Sequence, residues 1–407
     1  MTGLFLPLPD KTRKAIGRLP EIIEKTFPLP GRYRTALPHN VAELSELFTS
    51  KRTERGSSYL GKPALLSAYL RYFLPWNIYR LSRLFGSLNF NLKPDDAVID
   101  LGAGPLTLAA SLWISRPNLR TVPLEFRCLD LTPAILEAGK KFFYAVTGEI
   151  PPDFIQSPGQ SSPACPWTFK TIRGEIRKNG TLSTEIRGKP AALTSSVNVY
   201  NEMYWSFSPL DKERLELFAE RQAHLLSSLT ETTGSILVAE PGIPRAGEFI
   251  SLLRSGFLKE GRTVLYPCTH SNPCPIPGGN NGGNIKGKAK WCHFAFNTTD
   301  APEELHRLSA AAHIPKERAV LSFILAGPAS IKRPELNAKV RIISDSFPAS
   351  EQGQNIWGRY CCSNRGLVLV TGSRKEIDCL HPGSLEELRL VDNEIDAKSG
   401  ALLARRK

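Results

Sequence analysis

Two sets of residues have types and spacings suited to chemistry. The first is Val98-Ile99-Asp100-Leu101-Gly102-Ala103-Gly104-Pro105, an apolar run that ends in a glycine pair, with a helix expected from near Leu106. Glycines here let the backbone approach a ligand without a Cβ in the way, and the N-terminus of the following helix faces it. Thirty residues after Asp100, Cys128-Leu129-Asp130-Leu131 closes the next β-prone run with a carboxylate that can accept both hydroxyls of a ribose. A tight turn explains the glycine pair alone. With Asp130 at this spacing the pair reads as an adenosyl site made by Asp100, Gly102, Ala103, Gly104, Asp130 and Leu131, converging on one adenosine-sized cavity. Asp100 either touches the ligand or positions the loop. A dinucleotide fingerprint would carry a third glycine as G-x-G-x-x-G, and this motif stops at two.

The second set is sulfur. Cys268-Thr269-His270-Ser271-Asn272-Pro273-Cys274-Pro275 and Trp291-Cys292-His293-Phe294 bring three Cys together across a loop, Ile276 to Lys290, rich in Gly, Asn and Lys. Cys361-Cys362, in the run from Gly358 to Gly366, can supply a fourth thiolate. Four thiolates suit zinc or an iron–sulfur cluster. The five residues between Cys268 and Cys274 exceed the about two to four usual in zinc knuckles, and spacing alone does not choose the metal. Buried inert cysteines are the plain alternative, against which the flanking Pro and His weigh. Pro267-Cys268 also has the form of a nucleophile that adds to a pyrimidine ring, although the neighbouring Cys are better explained together as ligands.

Asn198-Val199-Tyr200-Asn201-Glu202-Met203-Tyr204-Trp205 follows an expected strand, where acceptor substrates lie in doubly wound folds. Asn201 and Glu202 are the candidate catalytic pair, able to orient a base or amine; capping is their plain alternative. The short glycine motif opening on an acid resembles motif I of Rossmann-type methyltransferases, whose S-adenosylmethionine has no pyrophosphate to cradle. Methyl transfer from a sulfonium is an in-line displacement that needs mainly proximity, so few catalytic side chains are required. No Asn/Asp-Pro-Pro-aromatic tetrad follows this strand, so an amino-methylating signature is missing.

The elements that must position these residues alternate between β-rich and helical runs from Asp96 to Pro328, which predicts an α/β, Rossmann-type class I methyltransferase sheet. Expected strands are Ala97 to Asp100, Glu125 to Leu131, Leu193 to Tyr200, Ser235 to Glu240 and Ala319 to Ala326; expected helices include Pro133 to Tyr144 and Asp211 to Ser228. Phe169 to Ile186 alternates around Asn179-Gly180, which predicts an inserted basic hairpin. From Tyr59 to Leu88 the apolar spacing predicts two helices broken at Pro75. Arg71, Arg80 and Arg83 mixed there with Tyr69, Tyr72, Trp76 and Tyr79 suit either RNA contact or core. The expected division is an N-terminal helical region (1–92), a sheet domain (93–330) with a cysteine-cluster insertion (262–296), and a small C-terminal β unit with a basic tail (331–407).

The 407 residues carry 52 Lys and Arg against 39 Asp and Glu, a net charge of +13 that favours a polyanionic partner. At 41% hydrophobic and 22% charged, the composition is that of a globular protein rather than a disordered one. No run of 18 apolar residues occurs, so no membrane span is expected. Met1 to Lys11 lacks a basic segment ahead of its apolar patch, and Asp10, Glu21 and Glu24 argue against a transit peptide. A cytoplasmic address with reduced thiols is expected.

These motifs together resemble the methyltransferase-like proteins of the small ribosomal subunit, called Rsm-twenty-two in yeast mitochondria and methyltransferase-like seventeen in animals, with bacterial relatives. The resemblance rests on Asp-Leu-Gly-Ala-Gly-Pro at Asp100, the Asn-Glu pair at Asn201, Val238-Ala239-Glu240-Pro241-Gly242, Cys268 and Cys274, Trp291-Cys292-His293-Phe294, and Cys-Ser-x-x-Gly at Cys362, between about residues 55 and 375. It implies an S-adenosylmethionine pocket, a 4Fe-4S cluster on Cys268, Cys274, Cys292 and Cys362, and a role in maturing the small ribosomal subunit by binding its rRNA. A bacterial, cytoplasmic, monomeric member is expected. Two departures stand out: the glycine-rich insertion between Cys274 and Cys292 is longer, and Cys361 doubles the last ligand position. Three functions compete: an rRNA methyltransferase, a non-catalytic assembly factor, and a zinc-stabilised methyltransferase of small molecules.

Overall fold

The computed structural model describes residues 3–51, 59–150, 165–208, 211–276, 291–331, 339–349 and 355–406. Ala97, Val98, Ile99 and Leu101 are all buried, as a parallel strand covered on both faces requires. They form β1 (Asp96–Leu101). Across the sheet the order is β3 (Trp167–Arg173), β2 (Leu124–Asp130), β1, β4 (Ala191–Val197), β5 (Thr230–Pro241), β8 (Arg318–Gly327) and β6 (Thr263–Tyr266), with β7 (Phe294–Asn297) also paired to β8. The β3 to β5 pairings are parallel, and β8 runs antiparallel to β5, β6 and β7. The order reverses between β1 and β4, which makes the C-terminal ends of those strands the switch point where a ligand crevice forms. This is the expected Rossmann-type sheet, and it resembles that of class I methyltransferases.

The helix Thr107–Ser115, which carries no charged residue, is buried from Thr107 to Ile114 between the sheet and the N-terminal helices, which share one hydrophobic cluster with β1 and β2. On the opposite face lie helices Lys212–Leu229, capped by Asp211, and Pro244–Lys259. Pro63–Ala68, Tyr69–Phe73 and Leu74–Phe85 run on as one helical stretch with a π turn in the middle. Pro75 therefore does not break it: the π turn just before it, with Leu74 N–H donating to Tyr69 O, shifts the hydrogen-bond ladder where proline has no N–H to give. Tyr72, Trp76 and Tyr79 are core residues, Arg83 pairs with Asp300 at 2.9 Å and Arg71 with Glu24 at 3.2 Å. RNA contact by Tyr72, Trp76 and Tyr79 is thereby replaced by the core reading.

The hairpin expected over 169–186 is corrected as well. Its turn forms, with Gly180 at φ +77° and a bridge between Ile176 and Leu182. Trp167–Arg173, however, pairs in parallel with β2 as the sheet's edge. Trp167 decides this by packing its ring against Trp113, Phe126 and Phe143, whereas an isolated two-stranded ribbon is marginal in water.

After β8 the chain builds a small barrel from β9 (Lys339–Ile342), β10 (Phe347–Pro348), β11 (Trp357–Ser363), β12 (Gly366–Gly372), β13 (Leu385–Ile395) and β14 (Leu402–Arg406). The path β11-β12-β14-β13-β9 closes because β9 also pairs with β11. This is a five-stranded Greek-key arrangement, and by itself it assigns no ligand. Its interior holds Val340, Ile342, Cys361, Val368 and Val370, while Cys362, Leu367 and Leu369 on the outer face join the core of the sheet domain. Among the described residues no helix is long and apolar enough to cross a membrane.

Candidate functional site

At the end of β1 the chain turns back over β2, with the N–H groups of Gly102 and Ala103 donating to Leu129 O at 2.7 and 3.0 Å. Gly102 has φ +71°, and a Cβ there would sit 2.2 Å from a Val199 methyl. Only glycine fits. The next N–H, that of Gly104, donates to Asp130 Oδ2 at 3.0 Å, and Thr132 N–H donates to Asp130 Oδ1 at 2.9 Å. The glycine loop and the carboxylate thus meet. Each Asp130 oxygen keeps a second lone pair, while burial raises its pKa against the opposing backbone hydrogen bonds. Leu131, beside it, is exposed.

Asp100 is buried and accepts a hydrogen bond from Ser195 Oγ at 2.6 Å, with burial pushing its pKa up to about 7. Its oxygens hold β1 to β4. Glu240, at the end of β5, accepts from the N–H groups of Val199, Tyr200 and Asn201 at 3.1, 2.8 and 3.0 Å, and burial pushes it up to about 8. That carboxylate organises the turn after β4, in which Asn201 Nδ2 donates to Asn198 O at 2.9 Å. Asn201 is engaged in the turn; burial raises the Tyr69 phenol's pKa, and the charges of Asp130 and then Glu202 add to it.

Tyr69 and Asn77 come from the N-terminal helical stretch and roof the space over Asp100, Gly102, Gly104 and Asn198, leaving a cavity of about 20 Å³. That is room for about one water, against about 300 Å³ or more for sites holding drug-sized ligands. Arg80 pins the roof, donating to Asn198 Oδ1 at 2.8 Å and Val320 O at 3.2 Å. Sequence reasoning missed this roof. Its signal was the Tyr and Arg mixture already noted, which carries no hint of what it covers.

The cysteines form the other centre. β6 and β7 pair with successive parts of β8, so the chain between them leaves the sheet edge and returns to it. It carries Cys268, Cys274 and Cys292 into a cavity of about 30 Å³ that Cys362 lines from the barrel. The part of the glycine-rich insertion at 277–290 lies outside the described residues. Successive side chains of a strand point to opposite faces: Cys361 enters the barrel core, and Cys362 faces the other three thiols. Burial raises the Cys274, Cys292 and Cys362 thiols, and the charge of neighbouring cysteines adds to this. The cavity wall includes Arg254 and Arg341 and no Asp or Glu among its described residues. Among the described residues no group of three or more His, Cys, Asp and Glu is arranged to hold a metal ion.

With this geometry in view, comparison with known proteins adds a family. The model of the family described as "Mitochondrial small ribosomal subunit Rsm22" matches residues 210–368. The resemblance read from the motifs is to the Rsm22 family. The matched stretch contains Cys268, Cys274, Cys292 and Cys362 and begins after the glycine loop and Asp130. No curated protein matches the chain. Among solved structures, a SAM-dependent methyltransferase from Geobacter sulfurreducens in complex with S-adenosyl-L-homocysteine is 12% identical, covering 62% of this chain and 91% of its own at a TM-score of 0.30. The plantazolicin methyltransferase BpumL, also in complex with SAH, is 11% identical over 78% of this chain and 97% of its own, TM-score 0.30. Precorrin-6y C5,15-methyltransferase from Geobacter metallireducens is 10% identical over 63% and 87%, TM-score 0.29. Likenesses at this level carry no argument, and the fold assignment rests on strand order.

Proposed function

We propose that this chain is an S-adenosylmethionine-binding, methyltransferase-like protein of the small ribosomal subunit that acts on its rRNA, by methylation or in assembly. The observation that carries the cofactor reading is the 3.0 Å contact of Gly104 N–H with Asp130, which puts the glycine-lined backbone and the ribose-type carboxylate at one place. Gly102, Ala103 and Gly104 would line the ligand, Asp130 would accept the ribose hydroxyls with its remaining lone pairs, and Leu131 would pack beside the adenine. Bound there, S-adenosylmethionine supplies an activated methyl group. The donor set fits; the closed roof requires Tyr69, Asn77 and Val199 to move before the ligand enters. Asn201 and Glu202, on the turn held by Glu240, would face the acceptor.

The closed cavity favours a second reading, a factor that binds subunit RNA without turning over a cofactor. The ribosomal part of the proposal draws on the family's description and on the +13 charge. Calorimetric titration with S-adenosylmethionine separates the readings: saturable binding lost in Asp130→Ala supports the first, and no binding by an iron-loaded protein removes it. Co-sedimentation with immature small subunits that weakens steeply with salt supports the RNA partner, and salt-independent or absent association contradicts it.

The proposal includes a 4Fe-4S cluster on Cys268, Cys274, Cys292 and Cys362, with zinc as the alternative occupant. What supports it is the donor chemistry: four thiols on one cavity with two guanidinium groups to balance thiolate charge. Such a centre would tie the barrel to the sheet, since its fourth ligand comes from β11. Metal and acid-labile sulfide analysis after anaerobic purification distinguishes iron–sulfur from zinc.

A further inference from the structure

Arg254 is 2% exposed and lines the cysteine cavity from helix Pro244–Lys259. Its Nη2 donates to His270 O at 2.8 Å and Asn272 O at 2.7 Å, bracing the loop between Cys268 and Cys274. Its Nε–H has no hydrogen-bond partner among the described residues. A buried guanidinium with an unmet donor is costly beside neutral thiols and favourable beside an anion. On the same loop, His270 is buried and places Nε2 3.3 Å from Cys362 Sγ, bridging the loop to the barrel's thiol. Hydrogen bonds to ligand sulfurs and local positive charge both favour the more negatively charged state of a metal–thiolate centre.

We propose that Arg254 and His270 are positioning residues that tune an anionic iron–sulfur centre in this cavity, Arg254 by its charge and His270 by a hydrogen bond from Nε2 to Cys362 Sγ. The inference rests on the cluster reading above. Both side chains stabilise the reduced centre, so removing either makes its reduction harder. Arg254 also stiffens the ligand loop, so its loss speeds release of iron to a chelator. His270 carries no carbonyl-bracing role in its side chain, which makes it the cleaner probe of tuning.

The test is an anaerobic redox titration of the full-length protein and of His270→Phe, Arg254→Met and Arg254→Lys, followed by absorbance and electron paramagnetic resonance. Expected are midpoints shifted to more negative potential in His270→Phe and Arg254→Met, with the Arg254→Lys midpoint returning towards wild type because the charge is kept. If Arg254→Met does not load iron, His270→Phe and Arg254→Lys carry the comparison. Iron-loaded variants with the wild-type midpoint overturn this inference and leave the cluster standing. Wild-type protein that holds zinc, or no iron and sulfide, overturns both.

Discussion

The glycine site and the cysteine cavity differ in how far the chain satisfies them by itself. Around Asp130 and Glu240 the carboxylates are answered by backbone, two N–H groups on the first and three on the second, under a roof that leaves space for about one water. Around Cys362 burial opposes the thiolate form, and Arg254 Nε–H has no partner among the described residues. The glycine site has both carboxylates held by backbone and would have to open for a ligand to enter. The cysteine cavity brings four thiols and two guanidinium groups together, and the proposed anionic centre would answer both.

The largest expected effect breaks the cysteine side of this contrast. Cys362→Ser would remove the barrel's contribution to the proposed centre, and the thermal midpoint should fall by about 10 °C or more. Cys361→Ser, one residue away, buries a hydroxyl in the barrel core and should cost about 1–3 kcal/mol by urea denaturation. Equal losses would mean that the strand's two faces are not distinct in function. On the closed side, Glu240→Ala strands three N–H groups and should cost about 3–5 kcal/mol; a cost below about 1 kcal/mol would show that water replaces the carboxylate freely.

Smaller effects sharpen the comparison. Val199→Ala should tighten S-adenosylmethionine binding about three- to tenfold in calorimetry by easing the opening, whereas Gly102→Ala should weaken it at least about tenfold because its Cβ meets Val199 at 2.2 Å. Unchanged affinity in both variants would place the ligand elsewhere. The smallest expected effect is electrostatic. Asp100 is raised from 3.8 to about 7 by burial, so between those values the folded state binds more protons than the unfolded one. Stability should therefore decline as pH rises through that window. Asp100→Asn should flatten this part of the stability profile, and an unaltered slope would assign it to other groups.

The sheet was legible because β1 is an apolar run and β2 a β-prone one, and they lead into residues with strong backbone or charge demands, Gly102 and Asp130. The roof was not, because Tyr69 and Asn77 reach the site across long sequence separations with only a local helical pattern to announce them. Trp167 shows the same limit: a strong turn at Asn179-Gly180 was read correctly, but ring packing with Trp113 and Phe143 took the preceding run into the sheet. At Cys361-Cys362 the sequence held the ambiguity and the alternation of a strand resolved the facing. Knowing that Val368 and Val370 point into the barrel together with Cys361 is what places Cys362 outside.

Iron and acid-labile sulfide counted per chain in anaerobically purified wild type, Cys361→Ser and Cys362→Ser test the central claim most directly. The account predicts about four of each in wild type and Cys361→Ser, and none retained in Cys362→Ser. The same content in both variants, or a wild type without iron and sulfide, would contradict it.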